Sequence, residues 1–465
     1  MNKYTPVIGL EVHVELKTNT KMFCRCAAAY FGEKPNTHTC PVCLALPGAL
    51  PYPNSQAIDW CVKIALALNC EINKFSKFDR KNYFYPDIPK GYQISQYDLP
   101  FGHDGYIEVF KNKDSKEIKR IGITRVHMEE DTGKLTHAVV NGENVSLVDF
   151  NRSGVPLVEI VTEPDFENEY QVVSYLQKLQ KIVRYLGVSN ADMEKGDMRL
   201  EPNISLAPRT SHVANNKNDK QQAKRELPPY KVEVKNINSF RFVEKAILFE
   251  FERQAKILDE GTLPAQETRG WNETKNATVS QRSKEEAHDY RYFPEPDIPP
   301  VTFTDEKIAE ITSEIGELPD QKQARFEKEY GLPSADSEIL TREKHSADLF
   351  DKSVTEAKGF GITPRELANV IINQKLDTTS FEPAEIVKMV VEGKKKDKLN
   401  PDVLTSLISD VLSENPKAVE DFKAGKENII MFLLGQVMRK AGKKLDAKEV
   451  KLAILENLHK PVENS

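Results

Sequence analysis

Between Leu10 and Leu16 apolar and charged side chains alternate without a break: Leu10, Val12, Val14 and Leu16 against Glu11, His13 and Glu15. Successive side chains point to opposite faces only in an extended strand, so this run predicts a strand with one apolar and one charged side. Such a strand belongs to a sheet that buries one face and leaves the other available for chemistry. Asp149–Asp165 is a second run rich in β-branched residues, with acidic and basic side chains at fixed strand positions. Shorter runs at Gly105–Phe110, Ile118–Met128, Val145–Asp149 and Lys231–Lys235 also read as strands, and Gln171–Leu186 and Phe242–Ile257 as helices. Together they predict an α+β domain on an antiparallel sheet over residues 1–294.

After Pro294-Glu295-Pro296-Asp297-Ile298-Pro299-Pro300 strand patterns give way to amphipathic helical stretches. A break near Leu399-Asn400-Pro401 divides that part into a helical connector, 295–399, and a helical tail, 400–465. Residues 208–229 are rich in Asn, Lys, Gln and Asp and predict a mobile surface loop. The 465 residues suffice for two to four domains, and 39% apolar with 29% charged content describes a soluble globular protein. No apolar run is long enough to span a bilayer. Met1–Pro6 leads straight into a strand without a signal peptide, so the expected location is cytoplasmic. The net charge of −6 carries no overall basic signature, and contact with nucleic acid would have to come from a local patch.

Four of the six cysteines fall at Cys24, Cys26, Cys40 and Cys43: a C-x-C, thirteen residues, then C-x-x-C. Two short turns at that spacing present four thiolates to one tetrahedral Zn²⁺, and a four-thiolate site is structural because it leaves no open position. The plainer alternative is a set of incidental reduced thiols. Cys61 and Cys70 lie in an apolar helical pattern and read as core.

Glu11 and Glu15 flank His13 on one strand face, a plausible edge for a divalent cation or simply a solvated face. In His127-Met128-Glu129-Glu130-Asp131-Thr132-Gly133 three successive acids repel one another unless a cation offsets them. The plainer reading is a solvated turn before Gly133, and strand parity does not choose between Glu129 and Glu130 as the side chain that would meet a cation. Arg80 and Lys81 are adjacent cations beside aromatics, suited to phosphates or equally to a surface charge pair. Tyr290-Arg291-Tyr292-Phe293 alternates aromatic and cationic groups that stack on a base or close a domain. From Arg439 to Lys451 six cations face two acids, a patch suited to a phosphate backbone or to a solvated helix face. There is no G-x-x-x-x-G-K-[ST] loop, no G-x-S-x-G elbow and no plausible catalytic Cys–His pair.

Val7–Leu16, Asp79–Asp87 and Asp149–Asp165 closely resemble the B-subunit family of the aspartyl/glutamyl-tRNA amidotransferases of the GatCAB complex, and the likeness covers essentially the whole chain. The resemblance implies a cradle domain with a glutamine-synthetase-like catalytic half and a tRNA-binding tail. It implies a glutamine-dependent carbon–nitrogen ligase that converts Glu-tRNA(Gln), Asp-tRNA(Asn) or both through an acyl phosphate. ATP and Mg²⁺ would be the cofactors, with Mg²⁺ held by Glu11, His13 and Glu130, and Glu129 in reserve. Lys81 would join these in catalysis, and Arg80, Lys81, Lys235, Ser239 and Arg291 would hold nucleotide or phosphate. Arg439, Lys440, Lys443 and Lys444 would meet tRNA. The implied partners are an amidase-type A subunit that supplies ammonia, a small C subunit and mischarged tRNA(Gln) or tRNA(Asn), with no membrane involved. Two features depart from the family pattern: Glu201-Pro202 replaces a shorter acid without proline, and Pro229-Tyr230 replaces the usual Gly-Thr. A rival reading is a non-catalytic tRNA-binding scaffold.

Overall fold

The computed structural model describes residues 3–209, 227–283, 290–394, 401–442 and 445–459. Most of the segment expected to form a loop (210–226) therefore lies outside the described residues. The chain divides into two compact units, Met1–Lys322 and Gln323–Ser465.

Nine strands of the first unit share one sheet: β1 (Tyr4–Glu15), β2 (Glu71–Ile72), β6 (Gly102–Phe110), β7 (Ile118–Glu130), β10 (Pro156–Thr162), β11 (Met198–Pro208), β12 (Val232–Lys235), β13 (Glu267–Asn272) and β14 (Ala277–Ser283). Smaller sheets are β15 (Phe293–Pro294), β4 (Asp79–Asn82) and β5 (Tyr92–Ser95), the pair β3 (Phe75–Ser76) with β16 (Val301–Thr302), and the hairpin β8 (Lys134–Val140) with β9 (Glu143–Asp149). The large sheet runs β14-β13-β12-β11-β1-β10-β7-β6-β2. Its pairs are antiparallel, as the sequence predicts, apart from β12 and β13, which run parallel. Parallel neighbours need a crossover, and helix α3 (Phe240–Asp259) supplies it.

Helices α1 (Ser55–Ala67), α2 (Glu169–Tyr185) and α3 share one core with the apolar side of the sheet. In α2 that side is Val172, Leu176, Leu179 and Val183, all fully buried at helical spacing. Leu10, Val12 and Val14 of β1 enter the same core. Asn54, Asn168 and Ser239 cap these helices by accepting from backbone N–H groups in the first turn. Beyond residue 294, Ile298, Phe303 and Ile311 join this core, the last from α4 (Asp305–Ser313).

The second unit is helical. Helices α5 (Pro319–Tyr330), which begins just before the boundary, α6 (Ser334–Leu340), α7 (Lys344–Glu356), α8 (Pro364–Asn373) and α9 (Pro383–Lys394) bury Phe326, Leu340, Phe350, Leu367 and Ile386. A separate core forms from α10 (Pro401–Glu414), α11 (Pro416–Lys423), α12 (Ile429–Ala441) and α13 (Ala447–His459) around Ile408, Leu433, Val437 and Ile454. Among the described residues no helix is long and apolar enough to cross a membrane.

Candidate active site and metal centre

The face of the large sheet opposite the helical core carries charge. Glu11 lies opposite Glu201 across the β1–β11 ladder, and His13 lies opposite Glu159 across β1–β10. Glu159 in turn lies opposite His127 across β10–β7. Paired residues share a face and alternate along each strand, so His13, Glu159 and His127 form one row across three strands, with Glu11 and Glu201 two residues along on the same face. Glu159 Oε2 is 3.4 Å from the Nε2 atoms of both His13 and His127, and His127 Nε2 is 3.4 Å from Glu129 Oε1. Lys81 approaches from β4, its Nζ 3.5 Å from Glu129 Oε1. Ser95 and Gln93 donate to the two oxygens of Glu129 at 2.6 and 3.0 Å.

A second carboxylate group adjoins the first. One ligand oxygen from each of Glu11, Glu201 and Glu233 lies within 4.8 Å of the others, and so do the ligand atoms of His13, Glu129 and Glu159. Asn203 Nδ2 donates to Glu11 at 2.9 Å, Thr268 Oγ1 donates to Glu233 at 2.7 Å, and Lys235 Nζ is 3.0 Å from Glu201. The lengthened acid at 201 thus sits on this face, paired with Lys235.

Electrostatics separates the two groups. Burial, followed by the carboxylates of Glu159, Glu233 and Glu201, pushes the Glu11 carboxyl above the usual carboxylate range. Burial alone would raise Glu129 as well, but Lys81 and His127 together outweigh it and bring that carboxyl down to about 2. Glu159 is held well below its ordinary value, because its contacts with His127 and His13 overcome burial. The imidazoles respond in kind: burial lowers His13 and His127, the surrounding carboxylates, Glu159 foremost and Glu129 with it, more than reverse that, and both end up raised. Lys81 is raised well above its ordinary value, the carboxylates of Glu129 and Glu159 outweighing its burial. The Nδ1 atoms of both histidines are buried without a hydrogen-bond partner. His13, Glu129 and Glu159 could together hold a metal ion; their carboxylates are hard oxygen donors of the kind that suits Mg²⁺, and the imidazole is a softer, borderline donor.

Glu130 does not join this set. It follows Glu129 on β7 and therefore points the other way. Its carboxylate accepts from Lys90 Nζ at 2.7 Å and from the backbone N–H of Ile94 at 2.9 Å. There it lines a cavity of about 170 Å³ with Cys24, Cys43 and Lys90. Of the three expected Mg²⁺ ligands, the structure brings His13 together with Glu129, the reserve residue, sets Glu11 in the adjoining group, and turns Glu130 away.

The remaining expected residues are scattered. Arg80 alternates with Lys81 on β4, so its guanidinium faces away from Lys81, clamped by Glu295 at 2.6 and 2.7 Å and stacked 4.4 Å over the Tyr92 ring. Ser239 uses its hydroxyl to cap α3, accepting from Phe242 N–H at 3.3 Å. Arg291 sits in the left-handed region at φ 45°, its carbonyl accepting from Asn82 Nδ2 at 2.8 Å. In the tail, Lys440 is paired with Glu414 at 2.6 Å and Arg439 donates to Gln436. Lys443 and Lys444 lie outside the described residues.

Glu159 and His127 were not singled out from the sequence. Glu159 is the lone charge in the otherwise apolar Pro156–Val161 run. A buried strand tolerates such a residue only when it is paired, and that signal would have found it. Arg125, two residues before His127, also reaches this row, 3.8 Å from Glu159.

The four cysteines converge. Their sulfurs all lie within 4.8 Å of one another, and Cys40 Sγ to Cys43 Sγ is 3.8 Å. A tetrahedron of Zn–S bonds of about 2.3 Å gives sulfur separations of about 3.8 Å. Cys24 and Cys26 ride on a tight hairpin closed by the Thr20–Ala27 bridge, and Cys40 and Cys43 on a turn in which Leu44 N–H donates to the Cys40 carbonyl at 3.0 Å. The Cys24 contact, then Lys21, draws the Cys43 thiol down to about 5 against the effect of burial. The cluster can hold a metal such as zinc.

Residues 6–309 match the family described as the GatB/GatE catalytic domain, and residues 360–458 match the GatB domain. Three curated relatives are each named as the B subunit of an aspartyl/glutamyl-tRNA(Asn/Gln) amidotransferase. That of Carboxydothermus hydrogenoformans is 43% identical over 99% of this chain and 100% of its own length. That of Thermotoga maritima is 44% identical over 94% and 95%. That of Brevibacillus brevis is 43% identical over 99% and 100%.

Proposed function

The chain belongs to the B-subunit family of the aspartyl/glutamyl-tRNA(Asn/Gln) amidotransferases, and from that premise we propose that its charged sheet face activates the side-chain carboxylate of a mischarged tRNA with ATP. The observation that carries this reading is the juxtaposition of two carboxylate groups with Lys81 and Lys235 on one side of one sheet.

His13, Glu129 and Glu159 would hold Mg²⁺, with Glu11, Glu201 and Glu233 adjoining. When bound, the ion would offset the negative charge of the phosphates and of these side chains. Lys81 and Lys235 are fixed cations that face the charge of a phosphoryl group in transfer. The substrate carboxylate oxygen attacks the γ-phosphorus, the bond to ADP breaks, and an acyl phosphate forms. Ammonia then attacks the carbonyl carbon and inorganic phosphate leaves, yielding Gln-tRNA(Gln) or Asn-tRNA(Asn). Ser95 and Gln93 hold Glu129 in one orientation, while Asn203 does the same for Glu11.

No nucleophile–base pair for glutamine hydrolysis was found in the sequence, so ammonia would come from an amidase-type A subunit, with a small C subunit completing the heterotrimer. Zinc would brace the Cys24–Cys43 segment. Exposed cations on α12, Arg439 among them, would meet the tRNA backbone. The reconstituted complex, given glutamine, ATP and each mischarged tRNA in turn, is expected to form the amide and to cleave ATP only when tRNA is present. No ATP cleavage above background would leave the scaffold reading instead.

A further inference from the structure

Lys21 is sealed from solvent, with 0% exposure. Lysine is almost never fully buried unless its charge is paired. Its ammonium donates to the His38 carbonyl at 2.7 Å and the Phe150 carbonyl at 3.2 Å, and reaches Cys43 Sγ at 3.7 Å. The carbonyls satisfy N–H bonds but bring no net charge. Among these partners only the sulfur can carry a negative one.

We propose that Lys21 is a built-in counter-charge for a tetrathiolate metal centre, its ammonium set beside Cys43 without itself touching the metal. The proposal rests on the reading that Cys24, Cys26, Cys40 and Cys43 hold zinc. Four thiolates around Zn²⁺ leave two surplus negative charges in a partly buried site, and Lys21 cancels one of them.

Its position suits that role. The Lys21 backbone N–H donates to the Cys26 carbonyl at 3.0 Å, so the residue belongs to the hairpin that carries Cys24 and Cys26. Its side chain crosses to the Cys40–Cys43 turn and to Phe150 at the end of β9. Gly154 closes the site from the other side: a Cβ there would stand 3.5 Å from Lys21 Cδ, 3.7 Å from Cys43 Cβ and 3.9 Å from Glu130 Oε2. One lysine, through its backbone N–H and its ammonium, thus ties both cysteine pairs to the chain segment between β9 and β10.

The test is zinc affinity of the full-length chain, measured by competition with the chelator 4-(2-pyridylazo)resorcinol. Lys21→Met keeps most of the apolar stem and removes the charge. It is expected to weaken zinc binding by roughly 10–100-fold. Cys43→His replaces one thiolate with a neutral ligand, so in that background Lys21→Met should cost far less. A penalty equal in both backgrounds to within about twofold, the mark of independent sites, means that Lys21 only packs or donates to carbonyls, and overturns the proposal. An unchanged affinity of Lys21→Met beside a zinc-binding wild type does the same and leaves the zinc reading intact. A wild type that binds no zinc overturns the zinc reading itself. Should Lys21→Met fail to fold, cobalt(II) substitution of the wild type decides: charge-transfer intensity of four thiolates supports the proposal, and three without Cys43 overturns it.

Discussion

The sheet face around Glu159 and the end of helix α12 both gather charge, but in different surroundings. On the sheet, Glu129, Glu159 and His127 are almost wholly buried, and each is held by partners on neighbouring strands. In the tail, Lys440 pairs with Glu414 while both side chains stay more than a third exposed, at 37% and 60%. Coulomb interactions in a buried row are strong and weakly screened, whereas an exposed pair contributes about 0–1 kcal/mol. Removing one member of the row strands its neighbours, while removing one tail cation leaves the rest solvated. The contrast teaches that a buried charge must be matched by a neighbour the fold supplies, whereas an exposed charge is matched by water and salt.

Substitution within the row should have the largest effect. Glu159→Gln is expected to lower amide formation in the reconstituted complex by about 10²–10³-fold or more, while glutamine hydrolysis by the partner amidase continues. Turnover within a few fold of wild type would remove Glu159 from the site. The neighbouring acids of β7 sharpen the point. Glu129→Gln should follow Glu159→Gln, whereas Glu130→Gln should retain Mg²⁺-dependent stabilisation, since it faces Lys90 instead. Calorimetry with and without Mg²⁺ separates them: at one hundred times its Kd the ion adds about 2.7 kcal/mol to a folded state that binds it.

A smaller effect is expected from pH. The folded Glu129 carboxyl titrates near 2, below its unfolded value, so the stability it contributes is present above the unfolded carboxylate range. That contribution is lost as pH falls from about 5 towards 2. Glu129→Gln should flatten this part of the stability profile measured by urea unfolding; an unaltered slope would show that the Lys81–Glu129 pair contributes little. The smallest effect belongs to the tail. Arg439→Ala should weaken tRNA binding evenly across tRNAs and reduce the slope of log affinity against log salt by about 1. Loss of binding for one tRNA alone would point to base-specific contact.

The two regions were also unequally legible. The alternation of Leu10–Leu16 marks the charged face because strand geometry sends every second side chain the same way. The C-x-C and C-x-x-C spacing marks a centre that the fold brings together. The choice between Glu129 and Glu130 was not legible, because two adjacent acids at a strand end offer both parities. The α3 crossover that makes β12 and β13 parallel was likewise invisible in the strand runs themselves.

What the sequence determined by itself is local: where strands and helices form, which side of each is apolar, and which thiols stand close along the chain. Tertiary structure alone decided which charges meet. His13, Glu129 and Glu159 come from three strands far apart in the chain, and their convergence depends on the ladder register of β1, β10 and β7. Periodicity is set by backbone dihedrals within a few residues. Register is set by pairing across long separations, where a slip of one residue would turn the whole row to the opposite face.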